Sequence, residues 1–209
     1  GLLRVGVSPL YAQKLFSPAF VRLHQQRPAA VVRASVHLND ELWRLLRQGE
    51  LDLTLSSLPA HVPHDLHTIE LMRDDLCMVV RHEHPLLASR RLKLADLADA
   101  QWMLPGPQVA ARRHVEAMLA QAGLPSPRIA LEVSNTAGQM RQILHETDLV
   151  SLMSESMLAG EASEGLTVLP LPQARMQRAV GITLLKSTPP TPLTTRFVEL
   201  LVELSAQAT

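Results

Sequence analysis

Residues 31–57, VVRASVHLNDELWRLLRQGELDLTLSS, run strand, helix, strand without interruption, and that order leaves few folds open. The run 31–36 is rich in β-branched residues. Asn39 and Asp40 follow as good helix N-caps, and Leu42, Leu45 and Leu46 fall on one helical face. Gly49 stops the helix, and the strand predicted over 51–55 runs into Ser56 and Ser57. A similar strand, 2–7, lies upstream and is closed by Ser8-Pro9. It feeds a helix predicted over 10–26, with Phe16, Phe20 and Leu23 on one face. Pro18 is expected to kink or restart that helix, with Ser17 as a cap, and Pro28 to end it. Two strand–helix–strand units in succession predict a parallel sheet with helices on its faces.

A second α/β block follows Pro59. After the polar stretch AHVPHDLH the pattern predicts strands at 68–75 and 76–81, a helical turn, and a strand at 102–104. A helix over 108–122 turns Val109, Val115, Met118 and Leu119 inward and ends at Gly123. A strand at 128–133, a helix at 137–145, a strand at 149–153, a short helix at 154–162 and a strand at 166–171 complete this block. Strand 179–185 and a helix over 195–206, with Phe197, Leu200, Leu201 and Leu204 inward, are left over. A discontinuous first domain absorbs them.

Composition narrows the partners. The 209 residues suffice for one core or two small ones, and no window reaches the ~18 uninterrupted apolar residues of a membrane helix. Twenty basic and twenty acidic residues cancel, which argues against a nucleic-acid surface in this stretch, because phosphate binding shows as a basic excess. Cys77 is the only cysteine, so no internal disulfide forms; a buried thiol in a reducing cytosol is the expectation. The chain opens on Gly1 and enters a strand at once, which reads as a cut at a domain boundary of a longer protein.

With these elements in order, the chain resembles the effector-binding domain of LysR-type transcriptional regulators. The resemblance is carried by RVGVS at 4–8, by Pro18, Leu23 and Pro28, and by NDELWRLLRQGELDLTLS at 39–56 with its L..GELDL core. HPL at 84–86, LADLADAQWML at 94–104 and F..LLVEL at 197–204 complete it. It implies two Rossmann-like α/β subdomains of the periplasmic-binding-protein type II fold, joined by two crossover strands. Subdomain I is expected at 1–76 plus 176–209, and subdomain II at 77–175. It further implies a small-molecule effector bound in the cleft between them, no cofactor, homodimers or homotetramers, a cytoplasmic setting, and DNA bound through an N-terminal winged helix-turn-helix outside this chain. A solute-binding protein of a transporter shares the fold and is the alternative; an enzyme is disfavoured because no acid–base pair or cofactor motif appears.

In open α/β sheets ligands bind beyond the carboxyl ends of strands, where loops feed helix N-termini. Four loops qualify: Ser8-Pro9-Leu10, Leu38-Asn39-Asp40, Pro105-Gly106-Pro107-Gln108 and Ser134-Asn135-Thr136. Ser57 ends a strand on the same side. Each loop offers hydroxyl, amide or free backbone N–H groups, a combination suited to an anionic or polar metabolite without a buried Lys or Arg. By family position Ser8 or Leu10 and Asn39 match effector-touching sites; Ser134 and Asn135 face them by topology. Helix capping alone also selects such residues.

Other features count for less. His61, His64 and His67 with Asp65 invite a zinc reading, but no second ligand cluster accompanies them, and a solvated loop is expected. HPL at 84–86 belongs to the crossover, so His82 and His84 need no chemistry. GVSPL is not a nucleophile elbow, and no Gly-rich phosphate loop occurs. Trp43 and Trp102 read as packing, with Trp102 near the crossover alternatively a reporter of cleft closure, and Tyr11 as either a cleft or a surface residue. The apolar and small residues Ala12, Leu15, Ala19 and Val21 on one helix, with Ala110, Ala111, Ala117 and Ala120 on another, predict a two-fold pairing.

Overall fold

The computed structural model describes residues 1–134, 141–161 and 164–208. Its strands are β1 (Leu2–Val7), β2 (Val31–Val36), β3 (Leu53–Ser57), β4 (Leu66–Arg73), β5 (Leu76–Arg81), β6 (Gln101–Leu104), β7 (Arg128–Glu132), β8 (Ser151–Ser154), β9 (Leu166–Val168) and β10 (Ala179–Leu185). The α-helices are α1 (Ser17–Gln26), α2 (Asn39–Arg47), α3 (Ala110–Gln121), α4 (Arg141–Glu146), α5 (Glu155–Leu158) and α6 (Pro192–Gln207). The chain divides into two units, residues 1–73 with 178–209, and residues 74–177.

The first unit holds a sheet in the order β2-β1-β3-β10-β4. Strand β1 runs parallel to β2 and β3, whereas β10 is antiparallel to β3 and β4. Alternation along the strands sends Leu3, Val5, Val7, Leu53, Leu55, Val180 and Ile182 to one face, against Leu15, Ala19 and Leu23 and against Phe197, Leu200 and Leu201 of α6. Each such side chain contributes roughly 1.5–3 kcal/mol by leaving water. The other face receives α2 through Leu42, Leu45 and Leu46. Gly6 makes that approach possible, since a Cβ there would lie 2.5 Å from Leu51 Cδ1 and 2.6 Å from Leu42 Cδ2. Gly49, at φ 73°, closes α2 in the left-handed conformation that favours glycine.

Several local expectations change in this unit. The segment predicted as a helix over 10–26 has three parts: a 3-10 turn at Pro9–Tyr11, a π-turn at Ala12–Phe16, and α1. Pro18 has no N–H to continue the regular ladder, and the Ser17 N–H reaches back to the Ala12 carbonyl instead. The Ser17 hydroxyl donates to the same carbonyl at 3.0 Å, so it is not a cap. Strand β3 begins at Leu53 and includes Ser56 and Ser57, two residues later than predicted. Asp52 is held outside the strand because its carboxylate accepts from the Arg4 N–H at 2.7 Å and from the Arg4 guanidinium at 2.6 Å. Helix α6 starts at Pro192, with Thr191 Oγ1 accepting from the Thr194 N–H at 3.1 Å. Tyr11, expected in the cleft or at the surface, is 1% exposed in the core, and its hydroxyl accepts from Arg178 Nη2 at 3.0 Å.

The second unit contains the antiparallel sheet β8-β5-β9 and the parallel pair β6-β7. A parallel bridge between Trp102 and Val150 links them, so β6, β7 and β8 point their carboxyl ends the same way. Trp102, Leu104, Val115, Met118, Leu119 and Leu169 pack on one side, confirming Trp102 as a core residue. Val79, Met103, Leu144 and Met153 pack on the other. Helix α3 begins at Ala110, after an extended Val109, and not at 108. Strand β8 starts at Ser151, and β9 stops at Val168, where Leu169 bends to donate to the Met78 carbonyl. Helix α5 is shorter than expected, and of the helix predicted at 137–145, residues 137–140 lie outside the described residues.

Candidate functional site

Strands β2, β1 and β3 of the first unit are neighbours and parallel, so the residues that follow them gather at one sheet end. The register is tied there by backbone bonds, Ser8 N–H to Leu55 O at 2.9 Å and His37 N–H to Val7 O at 3.1 Å. Ser8, Pro9, Leu10, Asn39 and Ser57 therefore belong to a single end. Ser8 precedes the 3-10 turn in an extended conformation without using its hydroxyl to cap it. Pro9 is exposed, and Leu10 packs against the core.

Asn39 behaves differently from its sequence reading. Leu38 occupies the N-cap position of α2, and no side chain caps that helix. The Asn39 amide Nδ2 donates instead to Ser57 Oγ, 2.5 Å away. Capping thus accounts for neither Ser8 nor Asn39. Asp40 and Glu41 lie in the first turn of α2, where acidic groups suit the positive helix end. The Glu41 carboxyl is held below its ordinary value by a hydrogen bond from Arg44.

In the second unit the ends of β6, β7 and β8 form the corresponding edge. Gly106 is buried in the turn after β6 and leads through Pro107 to Gln108, whose side chain folds back so closely that a Cβ on Gly106 would lie 2.7 Å from Gln108 Oε1. Ser134, after β7, is exposed. Asn135 and Thr136 lie outside the described residues. Sequence reasoning missed a polar group at this same end: Asp74, 1% exposed, together with Ser154 and Ser156. Asp74 accepts from the Ser156 N–H and hydroxyl, and Ser154 Oγ lies 3.2 Å from Ser156 Oγ. The available signal was the acidic pair Asp74-Asp75 placed directly before a strand that is apolar from Leu76 to Val80. Asp75 is paired with Arg175 Nε at 2.9 Å, and Leu76 and Met176 exchange two backbone bonds beside it.

The remaining candidates are structural. His61, His64 and His67 are exposed, and among the described residues no group of three His, Cys, Asp or Glu side chains could hold a metal ion. His84 is buried; its Nδ1 accepts from the Leu86 N–H at 3.1 Å, which leaves Nε2 to donate to the Asp148 carbonyl at 2.8 Å. Burial pushes the Cys77 thiol up from its ordinary value. Among the described residues no helix is long and apolar enough to cross a membrane.

The LysR substrate binding domain model matches residues 1–206. The chain belongs to the LysR substrate-binding domain family. A relative in Azospirillum brasilense, the HTH-type transcriptional regulator GbpR, is 29% identical over 92% of this LysR domain and 57% of its own length. The HTH-type transcriptional regulator GalR of Pseudomonas putida is 31% identical over 87% of the chain and 46% of its own length. The chain thus spans about half the length of the curated relatives it matches. Among solved structures, the effector-binding domain of QuiR in complex with shikimate superposes with a TM-score of 0.82 at 16% identity, covering 99% of this chain and 98% of that one. The regulatory domain of CcmR from Synechocystis, in complex with 2-PG, gives 0.81 at 20% identity, covering 98% and 97%. These likenesses establish the type II periplasmic-binding-protein-like fold for this LysR domain, and its relatives are transcriptional regulators.

Proposed function

We propose that this LysR domain senses a small polar metabolite at its strand-end loops and relays binding to DNA through a helix-turn-helix domain outside this chain. The carrying observation is the family match over residues 1–206, taken with the gathering of Ser8, Asn39 and Ser57 at one sheet end. Gly106, Gln108 and Ser134, with Asn135 and Thr136 by sequence position, are the partner set on the second unit. Relay requires only that the effector bind one conformer more tightly than the other, and a hundredfold difference is about 2.7 kcal/mol of coupling. The protein works as a homodimer or homotetramer in the cytoplasm. Leu15 and Ala19 are consumed by the core, which leaves the exposed Val21 of α1 and the exposed Val31 and Val36 of edge strand β2 as candidate pairing residues. Ala117 and Ala120 of α3 are exposed as well.

A thermal-shift screen of carboxylates, sugar acids and neutral polar metabolites tests the reading. Stabilisation that disappears in Asn39→Ala and in Ser134→Ala, with both variants folded, is the expected result. Equal stabilisation of both variants would remove these loops from the site.

A further inference from the structure

We propose that a groove beside α3 in the second unit docks an acidic, leucine-bearing segment of another protein. The proposal does not depend on effector sensing. The loop 105–108 feeds the start of α3, whereas the groove runs along the later turns of that helix, beginning at His114.

The groove, about 320 Å³ in volume, lies between α3 and two 3-10 turns, Leu94–Leu97 and Pro172–Ala174. Leu94, Ala117, Met118 and Ala122 make it apolar, and none of the described residues lining it is acidic. Gln121 and Gln173 stand at its sides, both exposed, and their amides can bond a peptide backbone.

The opposite side of α3 is engaged differently. Arg112 bonds Glu116 at 2.7 Å and reaches Glu132 of β7 at 3.7 Å, so the row of Arg112, Glu116 and Ala120 faces β7. His114, Met118 and Ala122 form another row, on the side where His114 Nε2 donates to the Ala174 carbonyl at 3.1 Å. A two-fold pairing through the β7 side therefore leaves the groove open.

Charge names the occupant. Arg90, Arg91 and Lys93 put three cations into four positions just before Leu94; all are exposed, and none is in an ion pair among the described residues. Lys93 is extended, at φ −125° and ψ 158°, so its side chain points away from those of Leu92 and Leu94, which pack on the core. At about 3.8 Å per residue, Arg91 stands within roughly 11 Å of Leu94. The chain as a whole is neutral, so this rim is a local excess. Asp96, the acidic residue nearest in sequence, accepts from the Lys93 backbone N–H at 2.8 Å. An apolar groove with a cationic rim complements a segment whose leucines enter the groove while its carboxylates meet the rim.

The test is fluorescence anisotropy on the whole chain with a labelled peptide of glutamate and leucine in helical repeat. The same peptide with lysine for glutamate is the control. The acidic peptide is expected to bind, more weakly at high salt, and the basic one not to bind. Arg90→Glu with Arg91→Glu should weaken binding about tenfold or more. Ala117→Gln fills the groove with a neutral side chain that helices accept, and should weaken it as much. Both variants alter exposed positions and should keep the wild-type thermal midpoint. Failure of the acidic peptide to bind, equal binding of the two peptides, or indifference to either variant would overturn the proposal. A lower mass in sedimentation for Ala117→Gln would give the groove to a second copy of this chain and overturn it too. Each of these outcomes leaves effector sensing standing, because the thermal-shift screen reads that separately.

Discussion

Ser156 gives Asp74 two hydrogen bonds across 82 positions of chain: its N–H reaches Oδ1 at 2.9 Å and its hydroxyl reaches Oδ2 at 2.7 Å. Asp74 is 1% exposed, so these donors replace water around its carboxylate, and they dock the start of α5 against the start of β5. Removing one donor from a buried charged acceptor costs about 1.5–3 kcal/mol. Ser156→Ala should lower the unfolding free energy by that amount in urea. A loss below a few tenths of a kcal/mol would show that the carboxylate finds a replacement donor.

Thr54 and Thr183 face one another across β3 and β10, and both hydroxyls are buried without a hydrogen-bond partner among the described residues. A buried donor that bonds to nothing is costly, whereas a methyl of the same shape is not. The double variant Thr54→Val, Thr183→Val is expected to raise the thermal midpoint, by up to about 1 kcal/mol in stability. A lowered midpoint would mean that the hydroxyls are satisfied in solution.

Gly181 sits at a bulge where β10 passes β4, and a Cβ there would lie 2.0 Å from the Ile69 carbonyl oxygen. The obstacle is backbone, which cannot rotate aside as a side chain can. Gly181→Ala should therefore destabilise the first unit by about 3 kcal/mol or more. Amide exchange of β4 and β10 measures it, with β5 and β8 as internal controls.

Asp65 reports on acid stability. The Arg47 guanidinium donates to both of its oxygens, at 2.8 and 3.2 Å, and holds its carboxyl below the ordinary value. Because the folded value lies below the unfolded one, the pair stabilises the fold above about pH 4 and stops doing so as pH falls through the folded value. Wild type should lose more stability than Arg47→Gln between about pH 4 and pH 2. Parallel profiles would show that Asp65 titrates alike in both states.

Period and punctuation made much of the first unit readable. Leu3, Val5 and Val7 alternate, Leu42, Leu45 and Leu46 repeat at helical spacing, and Gly49 and Gly123 stop helices where they should. What stayed hidden depends on partners distant in sequence. The start of β3 moves because Arg4, 48 positions away, holds Asp52. Asn39 reads as a cap because nothing local points to Ser57, 18 positions on. Asp74 looks like a solvated turn residue until α5 covers it. A Pro at position 18 announces a break, yet whether the chain answers with a kink or a π-turn depends on which carbonyl Ser17 can reach.

The sheet order β2-β1-β3-β10-β4 has a consequence for synthesis. Among the described residues strand β4 pairs only with β10, and the core of the first unit takes Phe197, Leu200 and Leu201 from α6. A ribosome delivers residues 74–177 as one uninterrupted stretch, so the second unit can close while the chain is still growing. The first unit must wait, with Val5, Leu53 and Leu55 uncovered, for β10 and α6, which emerge after the second unit. The half of the domain translated first is the half completed last, and a nascent chain stalled before β10 would expose that surface to chaperones and proteases.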